Sequence, residues 1–160
     1  MTNCYPYLFW WMISMTKDRD VEIGYLLYLE AVVSIVLYRL AIETIPFGWL
    51  VRNMEGGEPS GYEECAVGDS VEEDTIYRVS GAVSAISNRF PPISTCLAES
   101  LTASRMLGRR GYDGCVVMGV RKDGEKMSAH SWSICKGVVV TGGEQMGRYR
   151  AVAIFSWRGR

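Results

Sequence analysis

The period of the apolar residues changes once along this chain, near residue 115, and this change constrains the fold more than any other feature. Before it, apolar residues recur at helical spacing over residues 21–45, 70–90 and 94–110. After it, short strand-like runs up to residue 157 are separated by tight turns at Asp-Gly and Lys-Gly. Helices followed by strands predict an α+β fold, with N-terminal helices packed on an antiparallel meander.

We expect three segments: an N-terminal arm and helical region over residues 1–52, an acidic linker over 53–75, and a core over 76–160. The linker holds eight acidic residues, no Lys or Arg, and four Gly, a composition typical of a mobile loop. Residues 1–14 are expected to be an extension or a loosely attached arm. The N-terminal helices and the core should form one compact unit.

The helix predicted over residues 21–45 is apolar nearly all round, which suits burial between other elements. Its window Ile23–Ile42 contains eleven Leu, Ile and Val residues, but Glu30 and Arg39 offset their preference for lipid. A buried or surface-associated helix is therefore favoured over a transmembrane span.

The charges of the chain are nearly balanced overall but unevenly distributed. Residues 1–77 carry 4 basic and 13 acidic side chains, whereas residues 78–160 carry 13 and 5. The two halves should attract each other. A net charge of −1 gives no support to nucleic-acid binding, which needs a surplus of Lys and Arg.

Five cysteines without a C-x-x-C pair, and without a secretory signal, favour a reducing cytoplasm over a disulfide framework. Their irregular spacing and the presence of one histidine give no support to a zinc site, and we expect no metal or cofactor. Any chemistry that needs an imidazole must use His130.

Cys96 and His130 are the candidate catalytic pair. Cys96 lies in the first turn of a helix that starts after Pro91-Pro92 with Ser94 or Thr95 as its cap, where the helix dipole favours a thiolate. His130 lies in the middle of a predicted strand. A helix with Cys at its start, packed across strands that carry His, is the arrangement of papain-like and transglutaminase-like enzymes. The alternative is a small buried cysteine and a structural histidine.

Four segments stand out in combination: YLEAVVSIVLYRLAIETIPF (28–47), PPISTCLAESLTASRMLGRRGYDGCVVMGVRKDG (91–124), SAHSW (128–132) and VVTGG (139–143). Together they resemble the leader peptidase, or B protein, of lasso-peptide biosynthesis, whose catalytic part is transglutaminase-like. The resemblance covers roughly residues 20–155. It implies that Cys96 is the nucleophile and His130 its base.

The resemblance also implies the substrate and the partners. The substrate is a ribosomally made precursor peptide, cut at the end of its leader, and a macrolactam synthetase then uses the freed amine. Larger family members carry a leader-recognition domain in front of the catalytic part. Nothing before residue 20 could form one, so a separate recognition protein is expected.

One departure from the family concerns the third catalytic residue, an Asp shortly after the His in several relatives. The corresponding stretch around Thr141-Gly142-Gly143 has no acid. Glu144 is the candidate third member, with a hydroxyl or a backbone carbonyl as alternatives. Trp132, two residues after His130, is expected to cover the imidazole and to contribute to substrate binding, or else to be a core aromatic residue.

Two other functions fit the same residues. A transglutaminase-like acyltransferase would use Cys96 and His130 to transfer the acyl group to an amine. A membrane-associated, non-catalytic scaffold would instead rest on the apolar helix and on the aromatic arm before it.

Overall fold

The computed structural model describes residues 24–58, 73–91 and 95–160. Its fold is α+β, with helices on the N-terminal side of an antiparallel sheet, as predicted. The predicted arm over residues 1–14, the predicted start of the second helix at residue 70 and most of the predicted linker lie outside the described residues. The helices are α1 (Tyr25–Thr44), α2 (Phe47–Leu50), α3 (Glu73–Arg89), α4 (Cys96–Gly108) and α5 (Gly143–Met146). The strands are β1 (Glu55–Gly57), β2 (Gly114–Asp123), β3 (Lys126–Cys135), β4 (Val138–Thr141) and β5 (Arg150–Trp157).

The sheet has the order β1-β5-β2-β3-β4. Hairpins join β2 to β3 and β3 to β4, and their turns use Gly124 at φ 61° and Lys136-Gly137 at φ 45° and 80°. The predicted meander is therefore correct for these three strands and wrong for the last one. β5 pairs with β2 rather than with β4, from Gly114↔Trp157 onwards, because the four-residue β4 offers a short edge and the ten-residue β2 a long one.

The predicted linker over 53–75 is also wrong in part, because it contains a strand. Glu55 pairs with Ser156, so that β1 extends the sheet beyond β5. The Glu55 carboxylate lies 3.2 Å from the guanidinium of Arg158. This ion pair joins the acidic half of the chain to the basic half.

Each face of the sheet carries a buried apolar cluster. One face packs on the helices, in a core built from α1, α3, α4 and alternate strand residues such as Val116, Cys135 and Val140. The other face holds a smaller cluster that includes Val117, Trp132 and Ile134. The apolar residues predicted for α3 are confirmed as core: Ile76, Val79, Val83 and Ile86 are all buried.

Helix α1 is only half buried, which corrects the expectation that it lies between other elements. Ala31 and Ile35 enter the core, whereas the opposite side is apolar and exposed, with Leu26 at 78% and Leu37 at 58%. Among the described residues, α1 is the one helix that is long enough and apolar enough to cross a membrane, judged by length and composition alone.

Glu30, in the second turn of α1, makes a tertiary ion pair. The Glu30 carboxylate lies 2.6 Å from the guanidinium of Arg110, just after α4, and 3.9 Å from that of Arg109. This contact confirms the attraction expected between the two halves of the chain. It also fixes the rotation of α1, because it places the Glu30 side of the helix against α4.

Two substitutions on the same helix test this placement. We expect Ile35→Ala to lower the free energy of unfolding by about 2–5 kcal/mol, because it leaves a cavity in the core. Leu37→Ala, on the exposed side, should change it by less than about 0.5 kcal/mol. Denaturant unfolding followed by circular dichroism measures both. Equal losses for the two variants would contradict the packing of α1 described here.

Candidate active site

Helix α4 begins at the cysteine singled out from the sequence. Thr95 is the cap, in extended backbone geometry, and its Oγ1 accepts a hydrogen bond from the backbone N–H of Ala98 at 3.3 Å. Cys96 is the first helical residue and is partly exposed. Its backbone N–H lies in the first turn, where helix geometry supplies no carbonyl partner. The thiol thus stands at the positive end of the helix dipole.

The rest of α4 holds this position rigidly. Of its 13 residues, eight are buried. The hydroxyl of Ser100, one turn after the cysteine, donates to the backbone carbonyl of Cys96 at 2.9 Å. Because the helix is enclosed, Cys96 cannot shift without disturbing the core.

His130 lies in the middle of β3, and its ring is fixed by three neighbours. The centroid of its imidazole is 6.0 Å from that of Trp132, with the rings nearly parallel, and 5.1 Å from that of Tyr149. Its Nε2 lies 2.9 Å from the carbonyl oxygen of Gly142. Two aromatic rings and one hydrogen bond therefore set the orientation of the imidazole.

Cys96 and His130 line the same groove, which has a volume of about 660 Å³. The end of α3, the start of α4, the end of β4 and the residues of α5 form its walls. A groove of this size suits a ligand or a short stretch of peptide. Its polar lining residues include Ser87, Asn88, Glu99, Thr141, Glu144 and Gln145.

No hydrogen bond joins the Cys96 thiol to the imidazole in the part of the chain that the structure describes. The alternation of β3 puts His130 and Trp132 on one face, while Ser131 on the other face meets α4 through Ser100. The two candidate groups thus approach the groove from different walls. Catalytic hydrogen bonds are often long in free enzymes and tighten when substrate binds.

The two further candidates occupy different environments. Glu144 is exposed at the groove, and the hydrogen bond of the His130 ring goes to Gly142 rather than to this carboxylate. Trp132 is 3% exposed and lies beside the imidazole, as the alternation of β3 predicted. It is absent from the groove wall. Its contact with a substrate, and the role of Glu144 as third member, stay predictions.

Four buried hydroxyls form a cluster beside the groove that the sequence patterns did not predict. Thr141 Oγ1 lies 2.8 Å from Ser133 Oγ and 3.2 Å from Ser100 Oγ, which in turn lies 3.4 Å from Ser131 Oγ. All four residues are buried. One sequence signal could have indicated this cluster, because Ser131 and Ser133 alternate along β3 with residues of the hydrophobic core. The cluster ties α4, β3 and β4 together next to the two candidate residues.

The other described cysteines are unsuited to chemistry. Cys115 and Cys135 are both buried. Burial raises the pKa of the Cys135 thiol to about 11, and this thiol donates to the carbonyl of Asp113 at 3.2 Å. Over residues 24–58, 73–91 and 95–160, no group of three His, Cys, Asp or Glu side chains gathers in a way that could hold a metal ion.

Comparison with known proteins gives one finding. A family model described as the transglutaminase-like superfamily matches residues 41–154, from the last turn of α1 to β5. No curated protein and no solved structure shows a significant match. The match includes both Cys96 and His130, and the fold prediction is confirmed at this level.

The thiols should differ in reactivity as their environments differ. With iodoacetamide at pH 8, we expect Cys96 to be alkylated at least 10-fold faster than Cys135, which is buried with its pKa raised to about 11. Peptide mass spectrometry after timed quenching measures each site separately. Equal rates in the native protein would contradict the burial described here, and equal rates in 6 M urea provide the control.

Proposed function

Because the chain belongs to the transglutaminase-like superfamily, we propose that it is a cysteine peptidase that removes the leader from a ribosomally made lasso-peptide precursor. The observation that carries the proposal is the shared groove: the first residue of a buried helix, Cys96, and His130 of the adjoining sheet both line it. The combined segments around these two residues, which resemble the lasso leader peptidases, support the choice of substrate.

The proposed reaction is acyl transfer to a thiol, followed by hydrolysis. His130 takes the proton of the Cys96 thiol, and the thiolate forms a C–S bond to the scissile carbonyl carbon. The C–N bond then breaks, and the imidazolium gives its proton to the leaving amine of the core peptide. Water attacks the thioester with His130 as base, the C–S bond breaks, and the leader leaves with a new carboxylate.

The start of α4 supplies the electrostatic part of catalysis. The tetrahedral intermediate carries negative charge on the former carbonyl oxygen, and a backbone N–H without an intrahelical partner stabilises it. The N–H of Cys96 is the donor that we assign to this role. Because α4 is enclosed by the core, this donor needs no reorganisation when the charge develops.

The proposal includes partners and a location. A separate leader-recognition protein presents the precursor, and a macrolactam synthetase uses the amine that cleavage frees. Precursor maturation of this kind takes place in the cytoplasm, where free thiols such as Cys96 persist.

A second candidate function is transfer of the acyl group to an amine instead of water. Members of the superfamily generally act either as cysteine peptidases or as acyltransferases, and the same thiol and imidazole serve both reactions. The acceptor of the acyl group decides between them. A third candidate, a non-catalytic scaffold on a membrane, draws on the exposed apolar side of α1.

The nucleophile is tested by Cys96→Ala. With precursor and recognition protein present, we expect this variant to lose leader cleavage by at least about 10³-fold, because the acyl-enzyme cannot form. Cys65→Ala, a cysteine of the acidic segment, is the matched control and should cleave normally. Chromatography with mass spectrometry measures the products, and circular dichroism checks the fold. Normal turnover by Cys96→Ala would rule out Cys96 as the nucleophile.

The acceptor is tested in ¹⁸O-labelled water with and without added methylamine. A peptidase should put one ¹⁸O atom into the new carboxylate of the leader, with little leader methylamide even at high amine concentration. Mass spectrometry of the released leader distinguishes the two products. Leader methylamide as the main product would favour the acyltransferase.

A further inference from the structure

The imidazole of His130 is oriented by a backbone contact, and the meaning of that contact for catalysis rests on the proposed function. The Nε2 atom of His130 lies 2.9 Å from the carbonyl oxygen of Gly142. A carbonyl oxygen can only accept a hydrogen bond, so Nε2 must carry the proton. The neutral ring then has an unprotonated Nδ1, which is the proton acceptor that the mechanism needs.

The backbone at Gly142 brings this carbonyl close to the ring. Gly142 adopts φ 72° and ψ 8°, a left-handed conformation that favours glycine. A Cβ atom there would lie 2.5 Å from the carbonyl oxygen of Ser131 and 3.1 Å from Nε2 of His130. Any side chain at this position would push the loop away from β3 and carry the carbonyl with it.

The residue before Gly142 is held by the buried hydroxyl cluster. Thr141 Oγ1 lies 2.8 Å from Ser133 Oγ and 3.2 Å from Ser100 Oγ. Ser100 belongs to the helix that begins at Cys96, and its hydroxyl donates to the Cys96 carbonyl. One connected set of hydrogen bonds therefore links the backbone of the nucleophile to the loop that faces the imidazole.

We propose that the backbone carbonyl of Gly142 takes the place of the carboxylate that orients the base in Cys-His-Asp arrangements, and that it holds His130 in the Nε2–H tautomer. Gly142 is a positioning residue, since it acts through His130. A carboxylate also stabilises the charged imidazolium, whereas a carbonyl offers only its dipole. The carbonyl therefore sets the tautomer and orientation of the ring.

The chain offers a direct measurement, because it contains one histidine. Protein labelled with ¹⁵N-histidine gives a single set of imidazole signals in a long-range ¹H–¹⁵N correlation spectrum. We expect the neutral ring of the wild-type protein, without substrate, to show Nε2 protonated and Nδ1 unprotonated. A predominant Nδ1–H tautomer would overturn the proposal whatever the variants do.

Gly142→Ala should shift the ring toward a mixture of tautomers, because the carbonyl is displaced. In the cleavage assay it should lower kcat by about 100-fold, the lower end of what a positioned general base contributes, with little change in KM. Gly124→Ala is the matched control. Gly124 shares a positive φ of 61° but has nothing within 4 Å of an added Cβ, so this variant bears a similar backbone cost and should keep the wild-type tautomer and kcat.

Glu144→Gln separates the carbonyl from the exposed carboxylate that is the other candidate. We expect it to keep the wild-type tautomer. A loss of the Nε2–H tautomer in Glu144→Gln, with no change in folded Gly142→Ala, would assign the role to Glu144 instead. The tautomer is measured without substrate, so a protein with the expected tautomer that cleaves no precursor would refute the peptidase function and leave the orientation of His130 established.

Discussion

The contact between helix α4 and strand β3 fixes the positions of the Cys96 thiol and the His130 imidazole relative to each other. Ser100 of the helix reaches Ser131 of the strand and Thr141 of the next strand through buried hydroxyls. Polar groups enclosed in this way must pair with one another, because leaving one unpaired costs about 1–3 kcal/mol. This pairing of hydroxyls fixes the position of α4 on the sheet more narrowly than apolar packing alone does. Cys96 lies one helical turn before Ser100, so its position is fixed with that of the helix.

The candidate site is formed by two well-packed elements, α4 and β3, and by the loop that follows β4. Cys96 rests on an enclosed helix, and His130 on a central strand between two aromatic rings. The groove between them is closed on one side by the short segment after β4, where Gly142 turns the chain toward the imidazole. A ligand that enters this groove meets the thiol on one wall and the imidazole on another.

Much of this arrangement could be predicted locally. The start of α4 follows from Pro91-Pro92 and the Thr95 cap, and both hairpin turns follow from glycines at positive φ. The pairing of β5 with β2 could not be predicted, because alternation identifies a strand without identifying its partner. For the same reason, the strand at Glu55–Gly57 was hidden in an acidic, glycine-rich segment whose composition is typical of a linker.

The sequence by itself determined the inventory of the site: one histidine, a cysteine at a helix start, and no acid in the stretch Thr141-Gly142-Gly143. These are properties of single residues and of short-range backbone preferences, which act within a few residues along the chain. Only the tertiary structure decided that one side of α1 stays exposed and that the Gly142 carbonyl meets the imidazole. Both depend on contacts between distant segments, and a backbone carbonyl leaves no trace in the identity of the residue that presents it.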